Sequence, residues 1–122
     1  MNKVLIVDDE KDICEIVGNI ITGYFQDVEV ISKHNGLDGF ITAQKDRFNL
    51  IITDHKMPFM TGAALAVALR TRENLNQGTS IIMLSAFITP DIKQELDIKN
   101  IEFLEKPLDY ESFVNRITPY LV

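Results

Sequence analysis

The chain is poor in cysteine: Cys14 stands alone among 122 residues. A single thiol excludes an internal disulfide and argues against a cysteine-ligated metal. Its place in a helical pattern marks it as a partly buried packing residue, not a reactive one. Long apolar runs are also lacking. Val4-Leu5-Ile6-Val7 and Ile81-Ile82-Met83-Leu84 are short, whereas a membrane span takes about 20 apolar residues. The first residues lead straight into a strand-like run and then into Asp8, Asp9 and Glu10, unlike a secretory signal. A cytoplasmic protein with no membrane partner is expected. Basic clusters are absent too, and the formal net charge is −6. Nucleic-acid binders show a basic face, so direct nucleic-acid contact is not expected. There is no internal repeat, low-complexity tract or linker.

What is present is enough apolar material, 46% of residues, for one core. The length suits one domain spanning residues 1–122. Short continuous apolar runs read as buried parallel strands over Lys3–Val7, Val28–Ile31, Leu50–Thr53, Ser80–Leu84 and Ile101–Leu104. Helical spacing fills the segments between. Ile13, Ile16, Val17, Ile20 and Ile21 repeat as one helix face. Asp9 or Asp12 is the expected cap, and Gly23 the expected stop. Leu37, Phe40 and Ile41 mark a second helix over about 36–46. Leu65, Ala68 and Leu69 mark a third, starting near Thr61. Thr89-Pro90 is a cap-plus-proline start for a fourth, with Ile92 and Leu96 inward. A fifth follows Asp109 and carries Phe113 and Ile117, extending to Leu121 only if Pro119, expected just beyond its end, frays rather than stops it.

Strand and helix alternate five times. That order predicts an α/β fold: a (βα)5 doubly wound, five-stranded parallel sheet in a flavodoxin-like three-layer sandwich. Ligand sites in open parallel sheets lie outside the carboxyl ends of the strands. The polar residues there are Asp8 and Asp9 after strand one, Asp54 after strand three, Ser85 after strand four and Lys106 after strand five. Each alone reads as a turn, cap or surface residue. Together, three carboxylates need a compensating charge. A hard divalent cation that prefers oxygen ligands and the Lys106 ammonium would provide it, which describes a site for a phosphoryl group.

These residues carry a resemblance. Val7-Asp8-Asp9-Glu10, Thr53-Asp54, Met57-Pro58-Phe59-Met60-Thr61-Gly62, Leu84-Ser85-Ala86 and Phe103-Leu104-Glu105-Lys106-Pro107 resemble, in order and spacing, the receiver domain of two-component response regulators, the CheY-like family. The resemblance covers about Lys3 to Ile117. It implies that Asp54 accepts a phosphoryl group from a phosphohistidine on a sensor histidine kinase or a histidine phosphotransfer protein. It implies Mg2+, with Mn2+ as a substitute, on Asp9, Asp54 and the backbone carbonyl of Lys56, with Asp8 acting through a metal-bound water. Lys106 and Ser85 would contact phosphoryl oxygens, and Phe103 would be the switch aromatic. Lys56 and Phe87 occupy the positions that tune phosphoryl lifetime, and Pro107 usually follows a cis bond. The implied role is a signalling switch that alters protein contacts, not an enzyme. Its output would be a downstream protein target or an effector domain on a longer chain, and its state a monomer or a phosphorylation-dependent dimer.

Competing readings are a Mg-dependent Asp-nucleophile phosphatase, a flavodoxin-like cofactor binder and a degenerate receiver acting only by binding. The phosphatase would carry a second Asp where Lys56 stands. The cofactor binder would need a Ser/Thr/Gly-rich loop in place of Asp8-Asp9-Glu10. The degenerate receiver would lack some of the five strand-end residues. One departure from the resemblance is Ile98-Lys99-Asn100-Ile101, where the family often has Gly-Ala, which leaves the exit of the fourth helix unspecified.

Overall fold

A computed structural model describes residues 1–122. The element order is β1 (Asn2–Val7), α1 (Lys11–Tyr24), β2 (Val28–Lys33), α2 (Gly36–Lys45), β3 (Leu50–Asp54), α3 (Gly62–Thr71), β4 (Ser80–Ser85), α4 (Pro90–Ile98), β5 (Glu102–Glu105) and α5 (Tyr110–Leu121). The five strands form one sheet in the order β2-β1-β3-β4-β5, with every pair parallel. The expected architecture is the observed one. No helix is long and apolar enough to cross a membrane.

The continuous apolar runs follow from burial on both faces. Successive side chains on a strand point to opposite sides, so each run divides between two cores. Val4, Ile6, Leu50, Ile52, Ile82 and Leu84 meet α1 and α5 through Val17, Ile21, Phe113 and Ile117. Leu5, Val7, Ile51, Ile81 and Met83 meet the opposite layer through Ala43, Leu65, Leu69 and Leu96.

Four helix starts carry side-chain caps that satisfy otherwise orphaned N–H groups. Asn35, Thr61, Thr89 and Asp109 accept from the backbone N–H of Asp38, Ala64, Ile92 and Ser112, respectively. The α1 start differs from expectation. Its N-cap is Glu10, with no side-chain cap bond, because the chain leaving β1 is committed to the strand-end acids. The helix also runs through Gly23 to Tyr24.

Three apolar stripes are shifted from the expected ones. Ile16, Leu37 and Ile41 are exposed, while α1 buries Cys14, Val17 and Ile21 and α2 buries Gly36, Gly39 and Ala43. In α3, Leu65 and Leu69 are buried as expected, but Ala66 is buried beside them in place of the expected Ala68, which is half-buried. Small residues allow these helices to approach the sheet closely, which apolar spacing alone does not reveal. Pro119 lies inside α5 rather than beyond it. It removes one N–H, but both it and Asn115, whose carbonyl would have accepted that bond, are exposed, so the vacancy faces solvent. The α4 exit closes through Asn100, which takes the left-handed conformation (φ 58°) tolerated by Asn at helix ends. Arg70 then donates to the carbonyls of Lys99 and Asn100 at 3.0 and 3.2 Å.

Candidate functional site

Strand register builds the site. Val7 pairs with Thr53, so the next residues, Asp8 and Asp54, leave adjacent strands side by side. This is where the chain direction across the sheet reverses, the switch point at which such sheets bind ligands. Asp54 also pairs with Leu84, so Ser85 ends β4 one step further along. Ser85 pairs with Glu105, and its carbonyl accepts the Lys106 N–H at 2.9 Å. The Lys106–Pro107 peptide is cis.

Asp8, Asp9 and Asp54 can each offer a carboxylate oxygen within 4.8 Å of the others. Asp8 is 2% exposed and Asp54 8%, while Asp9 is exposed. Lys106 Nζ lies 3.2 Å from Asp8 Oδ2 and 3.6 Å from Asp54 Oδ2. One ammonium thus faces two of the cluster's three carboxylates. Burial, and next the charge on Asp8, push the Asp54 carboxyl above its ordinary value, against the His55 N–H and Lys106. Burial opposes the charge on Lys106, but Asp8 and Asp54 outweigh it and raise its pKa. The donor set is all oxygen and carries excess negative charge, which fits a hard cation such as Mg2+. These acids are a cluster that could hold a metal ion.

A cavity of about 430 Å³ opens over the cluster, lined among others by Asp9, Asp54, Lys56, Ser85, Phe87 and Lys106. Ser85 Oγ donates to the Phe87 carbonyl at 3.3 Å. Phe87 is 73% exposed. Phe103 does not line this cavity. It is half-buried against the α2–α3–α4 side of the core and borders a separate cleft with Ile81 and Lys93.

Two glycines keep the β3–α3 connection close to the site. A Cβ on Gly62 would fall 1.8 Å from the Asp54 carbonyl oxygen, and one on Gly36 would fall 2.3 Å from that of Met60. Neither position accepts a side chain without moving backbone. Sequence reasoning also missed two residues behind the acids. Cys14, only 4% exposed, and half-buried His34 both reach the Asp8 carbonyl. Their separation of 20 residues hides that meeting in the linear chain.

Comparisons with known proteins agree with this geometry. Residues 4–118 match the response regulator receiver domain family. The chain is 33% identical to the chemotaxis response regulator CheY4 of Vibrio cholerae, covering 99% of both chains with a TM-score of 0.85. It is 32% identical over 91 residues to a response regulator receiver protein of Anaeromyxobacter sp., covering 75% of this chain and 36% of that protein. It is 29% identical over 123 residues to the transcriptional regulatory protein PcoR of Escherichia coli, covering 99% of this chain and 52% of that one. The chain spans about half the length, or less, of the curated relatives it matches. A parallel sheet that gathers three acids and a lysine at its switch point, matched along nearly its whole length by one family, places this chain among the response regulator receiver domains.

Proposed function

We propose that the chain is a phosphorylation-dependent switch with Asp54 as acceptor. The observation that carries this reading is the Asp8–Asp9–Asp54 cluster with Lys106 Nζ at 3.2 and 3.6 Å. Phosphoryl transfer asks chiefly for positioning and charge stabilisation. An Asp54 carboxylate oxygen forms the new P–O bond as the P–N bond to the donor imidazole breaks, and the imidazole leaves with the bonding pair and takes up a proton. Asp9, Asp54 and the Lys56 carbonyl would hold Mg2+ or Mn2+, with Asp8 acting through a bound water. When bound, the cation neutralises charge gathering around phosphorus. Lys106 supports one phosphoryl oxygen from its position beside Asp54.

Readout follows from Ser85. Its hydroxyl is engaged with the Phe87 carbonyl, so donating to a phosphoryl oxygen requires it to leave that bond. This releases the β4–α4 connection and lets Phe103 shift inward, biasing a two-state equilibrium. The phosphodonor is a histidine kinase or phosphotransfer protein in the cytoplasm. The output is a protein contact or an effector domain, as the transcriptional and chemotaxis names of its relatives suggest. Lys56 stands where an Asp-nucleophile phosphatase would need its acid–base, which favours the switch.

Acetyl phosphate with Mg2+, followed by intact mass, tests the proposal. One phosphoryl adduct is expected, absent in Asp54→Asn and absent with chelator. No adduct on the wild type sinks it. Turnover of a generic phosphate ester by the same preparation would establish a hydrolase instead.

A further inference from the structure

Asp8 has no free polar atom. Its N–H donates to the Lys33 carbonyl at 3.0 Å. Its Oδ1 accepts from the Glu10 N–H at 2.9 Å, and its Oδ2 from Lys106 at 3.2 Å. Its carbonyl is the unusual group. The β1–β2 register pairs Val7 with Lys33, so a continued parallel ladder would bring the Asn35 N–H to that oxygen. The chain turns away instead, because Asn35 caps α2. A buried carbonyl must find another donor. Here His34 Nδ1 lies at 3.2 Å and Cys14 Sγ at 3.5 Å.

A carbonyl only accepts, so a hydrogen bond at this distance requires the His34 ring proton on Nδ1. The 3.7 Å approach of Cys14 Sγ to that nitrogen is then two donors sharing one acceptor. The peptide joining Asp8 to Asp9 is planar. Holding its oxygen sets the direction in which both acids leave β1.

We propose that His34, seconded by Cys14, is a positioning residue for the acidic site: its Nδ1–H fixes the Asp8–Asp9 peptide so that both carboxylates converge on the cation position beside Asp54. This rests on the metal-dependent reading above. Removing a hydrogen-bond partner that orients metal ligands typically costs 10–100-fold in affinity.

The test uses the whole chain and Mg2+ alone, with no phosphodonor. Calorimetric titration of His34→Phe, which keeps ring bulk but no donor, should show Mg2+ affinity weakened on the order of 10-fold. His34→Asn, whose amide can donate from nearly the Nδ1 position, should restore most of it. Nitrogen chemical shifts of the wild-type His34 ring should report the Nδ1–H tautomer, a readout that needs no variant. Unchanged affinity in His34→Phe, equal loss in both variants, or the Nε2–H tautomer overturns the inference while leaving the functional reading intact. A wild type that binds no Mg2+ overturns both.

Discussion

Burial and the neighbouring Asp8 hold the Asp54 carboxyl above its ordinary value, so its charge is costly without a cation. The folded state binds this proton more tightly than the unfolded chain does. The stability this contributes is fully present below the ordinary value near 3.8 and is lost as pH rises through the folded value. Asp54→Asn removes the cost, while Lys106 keeps its closer partner, Asp8. In chelator, Asp54→Asn should therefore melt above the wild type at neutral pH, with the gap closing toward pH 4. A gap independent of pH would contradict this. Phe87 presents an exposed ring at the mouth of the same cavity. It should hinder the attacking water, so Phe87→Glu should shorten the lifetime of the acyl phosphate. A time course of phosphate loss decides it, and unchanged or slower loss rejects the idea.

Caps are legible at the scale of elements because they are local. Thr61, Thr89 and Asp109 each bond a backbone N–H three residues on, and sequence marks them. Which helix face is buried is not local. Leu37 and Ile41 have helical spacing yet are exposed, since Gly39, set against Val7, and Ala43 let α2 lie close to the sheet. The β3–α3 connection shows strain beside the site. Phe59 has φ 72° and is 86% exposed, so almost no packing offsets its left-handed backbone. Such a conformation costs a side-chain-bearing residue about 1–2 kcal/mol, against about 0.5–1 kcal/mol for the extra freedom of glycine in the unfolded chain. Phe59→Gly should stabilise by about 0.5–1 kcal/mol in urea unfolding. A destabilised variant would show that the ring packs after all.

Across the whole molecule, Asn76 ties distant segments together. Fully buried, it accepts from the Phe48 N–H at 2.8 Å and donates to the carbonyls of Ala43 and Asp46 at 2.6 and 2.8 Å. It also accepts from Thr79 Oγ1 at 3.0 Å. The end of α2, the start of β3 and the approach to β4 thus share one amide. Asn76→Ala should cost about 2–3 kcal/mol, because it orphans buried donors and acceptors. Denaturant titration measures this, and a loss near zero would mean that water replaces the amide.

The sequence by itself determined the alternation of strands and helices, the two-faced burial of the strands and the acids and lysine at strand ends. Apolar period and cap chemistry are properties of neighbouring residues, which is why these were legible. Only the tertiary structure decided that Asp8 stands opposite Asp54, that Lys106 reaches both, and that His34 and Cys14 meet behind Asp8. Those are contacts between residues 20 to 98 positions apart, set by strand register and crossover packing, which no local pattern encodes.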